Sequence, residues 1–220
     1  MFNFTKGVND MANFEEMANV VIAGDEEKSA ELTQKAVDEG INPLEIINEG
    51  LMKGMDVVGQ RFKAADMFIP EVLMSAKAMS AGMNIVRPLI VGGEVPSRGK
   101  VLLGTVKGDL HEIGKKLVGM IMESSGMIVE DLGIDITPEQ FAAAIKEKKP
   151  DVLGMSALLT TTMLAMKDTI EVLKEEGLRD SVKIMVGGAP VSSDFATEIG
   201  ADGWAPDAVS AKDLALKLIG

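Results

Sequence analysis

Apolar positions in the first ninety residues recur at spacings of three and four, whereas from residue 100 onward they gather into short continuous runs separated by helical stretches. Phe14, Met17, Ala18, Val21 and Ile22 form one helical stripe, closed by Gly24 and followed by Asp25 as the cap of the next element. A second helix is predicted over residues 26–39, with Leu32, Ala36 and Val37 on one face and Gly40 at its end. Asn42 and Pro43 supply a cap and a first-turn proline for a third helix carrying Ile46, Ile47, Leu51, Met55 and Val58. Pro70 opens a fourth, with Val72, Leu73, Ala76, Met79, Met83 and Val86. Four helices with such short connections predict a small antiparallel bundle.

The pattern changes across residues 87–99, which hold two prolines and three glycines and read as a linker. Beyond it, strands are predicted at residues 101–105, 128–132, 152–156, 184–186 and, more weakly patterned, 202–205. Helices fill the intervals at 113–125, 138–148, 162–177, 191–199 and 208–219. Strands buried on both faces and alternating with helices call for a parallel sheet covered on each side. The expected architecture is α + α/β: a four-helix bundle over residues 1–90, a linker over 91–99, and a flavodoxin- or Rossmann-like five-stranded domain over 100–220. A strand order of 2-1-3-4-5 places ligands outside the carboxyl ends of the strands, near the switch between strands 1 and 3.

Composition narrows the function classes. Thirty-four acidic against 22 basic residues give a net charge of −12, which argues against nucleic-acid binding because phosphate contacts require a cationic surface. The chain has no cysteine, so disulfides, zinc–thiolate sites and thiolate nucleophiles are excluded. No apolar run reaches the ~18 residues of a membrane span, and the N-terminus lacks a basic segment followed by an apolar one. The expectation is a cytoplasmic protein without membrane contact. Methionine is abundant, at 16 residues, and aromatics are only 4%, as in a helical core that fills irregular gaps with thioethers.

Three marks fall at carboxyl ends of predicted strands. Strand 1 leads into Asp109-Leu110-His111-Glu112-Ile113-Gly114, strand 3 into Ser156-Ala157-Leu158-Leu159-Thr160-Thr161-Thr162, and strand 4 into Gly187-Gly188-Ala189-Pro190. His111 is the chain's single histidine, and a carboxylate two residues before it suits a metal ligand oriented by a hydrogen-bond partner. Each mark has a plainer reading when taken alone: a satisfied histidine, a helix cap with spare hydroxyls, an ordinary glycine turn. Together on one rim they describe a ligand cleft.

These residues resemble the cobalamin-binding modules of corrinoid methyltransferases, in which D-x-H-x-x-G, S-x-L and G-G stand in this order and at these separations. The likeness extends to the first half, where residues 54–62 (Gly-Met-Asp-Val-Val-Gly-Gln-Arg-Phe) and 68–73 (Phe-Ile-Pro-Glu-Val-Leu) resemble the helical cap that precedes the cobalamin domain in methionine synthase and in stand-alone corrinoid proteins. The resemblance implies base-off cobalamin, methylcobalamin or a related corrinoid, whose benzimidazole leaves cobalt and whose nucleotide tail threads into the domain. His111 is then the lower axial cobalt ligand, through Nε2, and Asp109 accepts a hydrogen bond from the other ring nitrogen. The family continues this relay to a serine; the matching position is Thr162, with Thr160 as a nearby alternative.

The resemblance further implies that Gly187 and Gly188 clear a slot for the tail, while Gly114 lets loop and helix close around it. Ser156 offers a hydroxyl to the benzimidazole nitrogen and Leu158 an apolar wall. Gly104, Thr105 and the segment at Trp204, Ala205 and Pro206 contribute backbone, and Ile113 and Thr160 complete the cofactor-binding set. Trp204 also reads as a packing residue. Phe62 and Ile69 are the implied cap over the reactive face of the corrin.

The implied function is a methyl carrier. A substrate-specific methyltransferase would deliver a methyl group to Co(I), and an acceptor methyltransferase would pass it to a tetrahydrofolate or a thiol, with a reductive activase as third partner. The donor classes are aryl methyl ethers (O-demethylase systems), methylamines, methanol and quaternary amines. With barrels of ~250 residues typical for the substrate enzyme, the chain is expected to be one subunit of a multicomponent system, its linker acting as hinge. An adenosylcobalamin mutase module and a B12-responsive regulator are the alternatives. The first leaves the cap with Phe62 unexplained, and the second needs an output domain for which the residues after Leu214 leave no room. A receiver domain would instead cluster acidic residues and a lysine on the rim.

Overall fold

The structure, a computed structural model, describes the backbone of residues 6–90 and 97–220 and the side chains from residue 14 onward within those spans. It divides into two compact units, Met1–Pro96 and Ser97–Gly220. The expected linker lies outside the described residues over 91–96.

In the first unit, α1 (Lys6–Ala23) is followed by α2 (Glu26–Asp38), whose cap Asp25 accepts the Lys28 N–H at 2.9 Å. Asn42 and Pro43 start the third helix as the sequence predicts, in α3 (Pro43–Glu45), but the chain then widens into a π-helical segment, Ile46–Leu51, before continuing as α4 (Met52–Lys63). Periodicity does not announce this widening, since Ile46, Ile47, Gly50 and Leu51 remain buried in either helix type. Gly50 and Gly54 let this helix lie close on α1: a Cβ at Gly50 would fall 2.5 Å from Met17 Sδ, and one at Gly54 2.8 Å from the Ala18 carbonyl. Helix α5 (Ile69–Val86) begins where the Glu71 carboxylate reaches back to the Phe68 N–H at 2.8 Å. It packs along α2, where the buried Ser29 hydroxyl donates to the Ala78 carbonyl at 2.8 Å. Met17, Met79 and Met83 fill the core with Val21, Ile47, Leu51 and Val72.

The second unit is a five-stranded, all-parallel sheet of order β2-β1-β3-β4-β5, as expected. Its strands are β1 (Lys100–Thr105), β2 (Ile128–Asp131), β3 (Val152–Ser156), β4 (Lys183–Gly187) and β5 (Gly203–Ala205). Helices α6 (Ile113–Glu123) and α10 (Ala208–Ile219) cover one face over Val101, Leu103, Val152 and Met185. Helices α7 (Pro138–Lys148), α8 (Leu164–Glu175) and α9 (Ser193–Ile199) cover the other over Leu102, Leu153, Ile184 and the buried Phe141. The near-continuous apolar strands are thus explained: alternate residues feed two separate cores. Two helices start two residues later than the pattern suggests. Ser192 is the cap of α9, accepting the Phe195 N–H at 3.2 Å, and Thr162 precedes α8 with its hydroxyl donated to Asp109. Among the described residues no helix is long and apolar enough to cross a membrane.

Candidate functional site

Strand register puts four of the expected site residues in a row. Thr105 pairs with Ser156, Ser156 with Gly187, and Gly187 with Ala205, so the last residues of β1, β3, β4 and β5 form one line across the sheet's carboxyl rim. The connections leaving that line carry the remaining candidates of this unit.

The centre of the rim is Asp109, on the β1–α6 connection, with a fully buried carboxylate. Its Oδ1 accepts the His111 N–H at 3.0 Å and lies 2.7 Å from His111 Nδ1. Its Oδ2 accepts the Leu158 N–H and the Thr162 hydroxyl, each at 2.7 Å. Burial raises the carboxyl pKa, but the two backbone N–H donors, the Thr162 hydroxyl and the imidazole outweigh it and hold the group well below the ordinary carboxylate range. Asp109 is therefore ionised and can only accept, so Nδ1 carries a proton, and of the two neutral tautomers the carboxylate selects the one with the lone pair on Nε2. The His111 side chain is 50% exposed, which leaves that lone pair accessible to a ligand.

Of the two candidate hydroxyls, Thr162 is buried and reaches Asp109, whereas Thr160 is exposed. Thr105 is buried and donates its hydroxyl to the His111 carbonyl at 2.9 Å, so its side chain secures the loop from within. The Leu158 side chain lies at the surface although its N–H is committed to Asp109. Leu110 is 66% exposed, Ile113 86% and Leu164 59%, and Leu159 is also exposed, so the connections around the imidazole carry exposed apolar side chains. A flat apolar group would satisfy that surface.

The glycines differ in what they do. At Gly188, with φ +127°, a Cβ would fall 1.8 Å from the Ala157 carbonyl oxygen, so the fold itself requires glycine there. At Gly187 a Cβ would lie 3.2 Å from the Ala205 carbonyl oxygen. At Gly114 it would meet nothing within 4 Å: the space beside the first turn of α6 is open. The Phe141 ring fills the place a Gly104 side chain would take, 2.5 Å from a would-be Cβ. Trp204 donates its Nε1–H to the Val191 carbonyl at 2.8 Å and packs on the core, in keeping with its packing reading. Phe62, half-buried near the end of α4, and Ile69, exposed at the start of α5, belong to the other unit.

Sequence reasoning passed over several residues of this rim. Asp135 accepts the Gly108 N–H at 2.6 Å, and the buried Lys115 pairs with Asp131. Asp131 lies at the carboxyl end of a predicted strand and was open to notice, but the left-handed backbone of Asp135 (φ 55°) has no sequence signature.

Among the described residues no three His, Cys, Asp or Glu side chains are grouped to hold a metal ion. A metal at this rim would take His111 as its protein ligand and bring its other ligands with it. A corrinoid does so, and its macrocycle also suits the exposed apolar side chains of these connections; the residues fit the group.

Comparison with known proteins points the same way. Residues 99–212 match a family described as B12 binding domain, and residues 14–87 match a second family of the same description. The chain is similar to a corrinoid protein of Desulfitobacterium hafniense (strain Y51), with 48% identity over 96% of this chain and 99% of that one. It is 42% identical to monomethylamine corrinoid protein 1 of Methanosarcina mazei, over 95% of this chain and all of that one. Its structure resembles a chain of the methanol:cobalamin methyltransferase complex from Methanosarcina barkeri, with a TM-score of 0.85, 32% identity, and coverage of 94% of this chain and 80% of that chain.

Proposed function

The chain belongs to the corrinoid proteins of methyltransferase systems, built from two B12 binding domains, and from that premise we propose that it is a methyl carrier holding its corrinoid base-off with His111 as the lower axial ligand. The observation that carries this reading is Asp109, whose four hydrogen bonds fix one imidazole tautomer and aim the free nitrogen at an apolar rim. One-carbon transfer at cobalt is the chemistry the corrinoid supplies when bound.

The chain's own residues orient and protect. Asp109 and Thr162 keep Nδ1 protonated and make Nε2 the donor. Thr105 holds the His111 backbone, and Leu158, whose N–H is bonded to Asp109, would join Ile113 in shielding a bound corrinoid from water. Ser156, Gly187, Gly188, Ala205 and Gly104 line the sheet's rim where the nucleotide tail would enter, and the opening beside Gly114 gives it room. Thr160 is an exposed hydroxyl at the same edge. Phe62 and Ile69, in the helical unit of residues 1–90, are assigned to the cap that excludes water from the reactive face. The partners are a substrate-specific methyltransferase, an acceptor methyltransferase using a tetrahydrofolate or a thiol, and a reductive activase, all in the cytoplasm. Donor choice among methylamines, methanol, aryl methyl ethers and quaternary amines rests with the first partner.

Reconstitution of the apoprotein with aquocobalamin tests the assignment. The expected absorption spectrum is that of a base-off, imidazole-ligated corrinoid, lost in His111→Ala. A base-on spectrum in the unaltered protein, or the same spectrum and affinity in His111→Ala, would overturn it.

A further inference from the structure

The histidine loop is clamped by a neighbouring connection that takes no part in the Asp109–His111–Thr162 relay. From Asp131, the last residue of β2, the chain runs toward α7 through Leu132-Gly133-Ile134-Asp135. Asp135 turns its carboxylate onto the Gly108 N–H at 2.6 Å, and its own N–H donates to the Asp109 carbonyl at 3.1 Å. Among the described residues Asp135, at φ 55°, shares left-handed backbone with only two others that are not glycine, Ala65 and Lys149, and its carboxylate meets Gly108, which is itself left-handed at φ 81°. An L side chain is disfavoured in that region, and Asp and Asn are the types that tolerate it best. The short, charge-assisted bond to Gly108 is what the conformation gains. At the other end of the loop, Lys115 in the first turn of α6 pairs with Asp131, which also accepts the Gly133 N–H at 2.8 Å. Two carboxylates four residues apart therefore grip the segment on both sides of His111.

We propose that Asp135 is a positioning residue for the His111 imidazole: it fixes the backbone of Gly108 and Asp109, and through Asp109 the direction in which Nε2 points. This rests on His111 being the axial ligand. Asp135 touches neither the ring nor, on this account, the cofactor. It acts by making the Asp109 carboxylate's position independent of whether Nε2 is engaged. Without the Asp135 carboxylate, Asp109 would still have its four donors, but the turn carrying it would lose the Gly108 bond, keep only the backbone bond from the residue 135 N–H to the Asp109 carbonyl, and would follow the imidazole's movements.

Three variants separate positioning from mere folding. Asp135→Asn retains a left-handed former and a side-chain oxygen able to accept from Gly108. Asp135→Gly keeps the backbone conformation without strain and removes the acceptor. Asp135→Ala removes both. In the apoprotein, hydrogen exchange at the Gly108 amide should quicken by about tenfold or more in Asp135→Gly, the scale on which losing a strong hydrogen bond raises local opening, and stay near the original rate in Asp135→Asn. After reconstitution with aquocobalamin, Asp135→Gly should show a shifted or partly lost imidazole-ligated spectrum at an unchanged melting temperature, rescued in Asp135→Asn.

Unaltered spectra in Asp135→Gly, a failure of Asp135→Asn to rescue, or spectral losses that merely follow melting temperature across the three variants would overturn the positioning role. Failure of the underlying reading looks different: the unaltered protein would then lack a His111-dependent spectrum, and both proposals would fall together.

Discussion

The Thr162 hydroxyl lies 2.7 Å from Asp109 Oδ2, joining the connection that leaves β3 to the one that leaves β1. The two strands are neighbours in the middle of the sheet, so this bond closes the crevice at the switch point where the chain's direction of travel reverses. Thr162 Oγ1 also lies 3.0 Å from the Leu159 carbonyl, but with one proton to give, the shorter contact to the ionised carboxylate takes it.

Thr162→Val should therefore leave a buried carboxylate oxygen with the Leu158 N–H as its remaining donor. A loss of about 1–3 kcal/mol in stability is expected, as for a buried charged acceptor deprived of a partner. Thr162→Ser keeps the hydroxyl and should recover most of that loss. Urea denaturation of the two apoproteins checks the order; equal stabilities would mean that the hydroxyl is dispensable to the relay.

Gly114 and Gly188 make opposite predictions although both are glycines of expected cofactor-binding motifs. Gly188→Ala places a Cβ into the Ala157 carbonyl, 1.8 Å away, at a φ that side chains avoid, and should prevent folding or cost upward of about 3 kcal/mol. Gly114→Ala meets nothing within 4 Å and sits in a helix turn, where alanine should add about 0.5–1 kcal/mol. The same methyl enters the opening assigned to the corrinoid, so cofactor retention should fall as the melting temperature rises. Measuring both in one variant is decisive: higher stability with unimpaired retention would remove Gly114 from the cofactor site.

A third expectation concerns pH and the edge of the sheet. Glu130 on β2 pairs with Lys100 at 2.7 Å and Lys148 at 2.6 Å. The hydrogen bonds from Lys100 and then Lys148 lower its pKa against the opposing effect of burial. A carboxyl whose folded pKa lies below its unfolded value stabilises the fold above the unfolded pKa and loses that contribution as pH falls through the folded one. Glu130→Gln should thus be slightly less stable than the parent at neutral pH, and the difference should shrink on acidification below the ordinary glutamate range. All three side chains are about a third exposed, so solvent and salt screening keep the effect small. A difference that grew toward low pH would contradict the assignment.

Much of this architecture was legible because its signals are local. Pro138 and the reciprocal Thr137–Gln140 cap start α7 where the pattern places it, and Val101, Val152 and Ile184 mark strands that need burial on two faces. His111, Asp109 and Thr162 could be grouped because strand–helix alternation sends every β–α connection to one rim. The π-helical segment at Ile46–Leu51 was not legible, since its buried positions suit an ordinary helix equally and the close approach of Gly50 to Met17 is a tertiary contact. Asp135 escaped for a related reason: its role depends on meeting Gly108, 27 residues away, across two strands. Gly188 is expected from the sequence to clear space around a ligand; the structure adds that the fold itself needs glycine there against the Ala157 backbone.

The sharpest test of the site is Asp109→Asn, because it changes which group donates while barely changing shape. Four donors converge on the carboxylate, two at each oxygen. An amide offers an oxygen to one pair only and turns its NH2 toward the other. If the NH2 faces Leu158 and Thr162, donor meets donor there, the Thr162 hydroxyl must turn to the Leu159 carbonyl, and about 1–3 kcal/mol is lost with the unsatisfied Leu158 N–H. If it faces His111, Nδ1 must accept, the ring proton moves to Nε2, and the nitrogen needed for a metal is blocked. The second arrangement leaves the Leu158 and Thr162 donors satisfied on the other side and strands only the His111 backbone N–H. The expected outcome is a folded apoprotein whose imidazole has switched tautomer, seen in the 15N shifts of the ring, and whose bound corrinoid no longer shows histidine ligation. A variant with Nδ1 still protonated and an unchanged spectrum would show that the carboxylate does not set the tautomer.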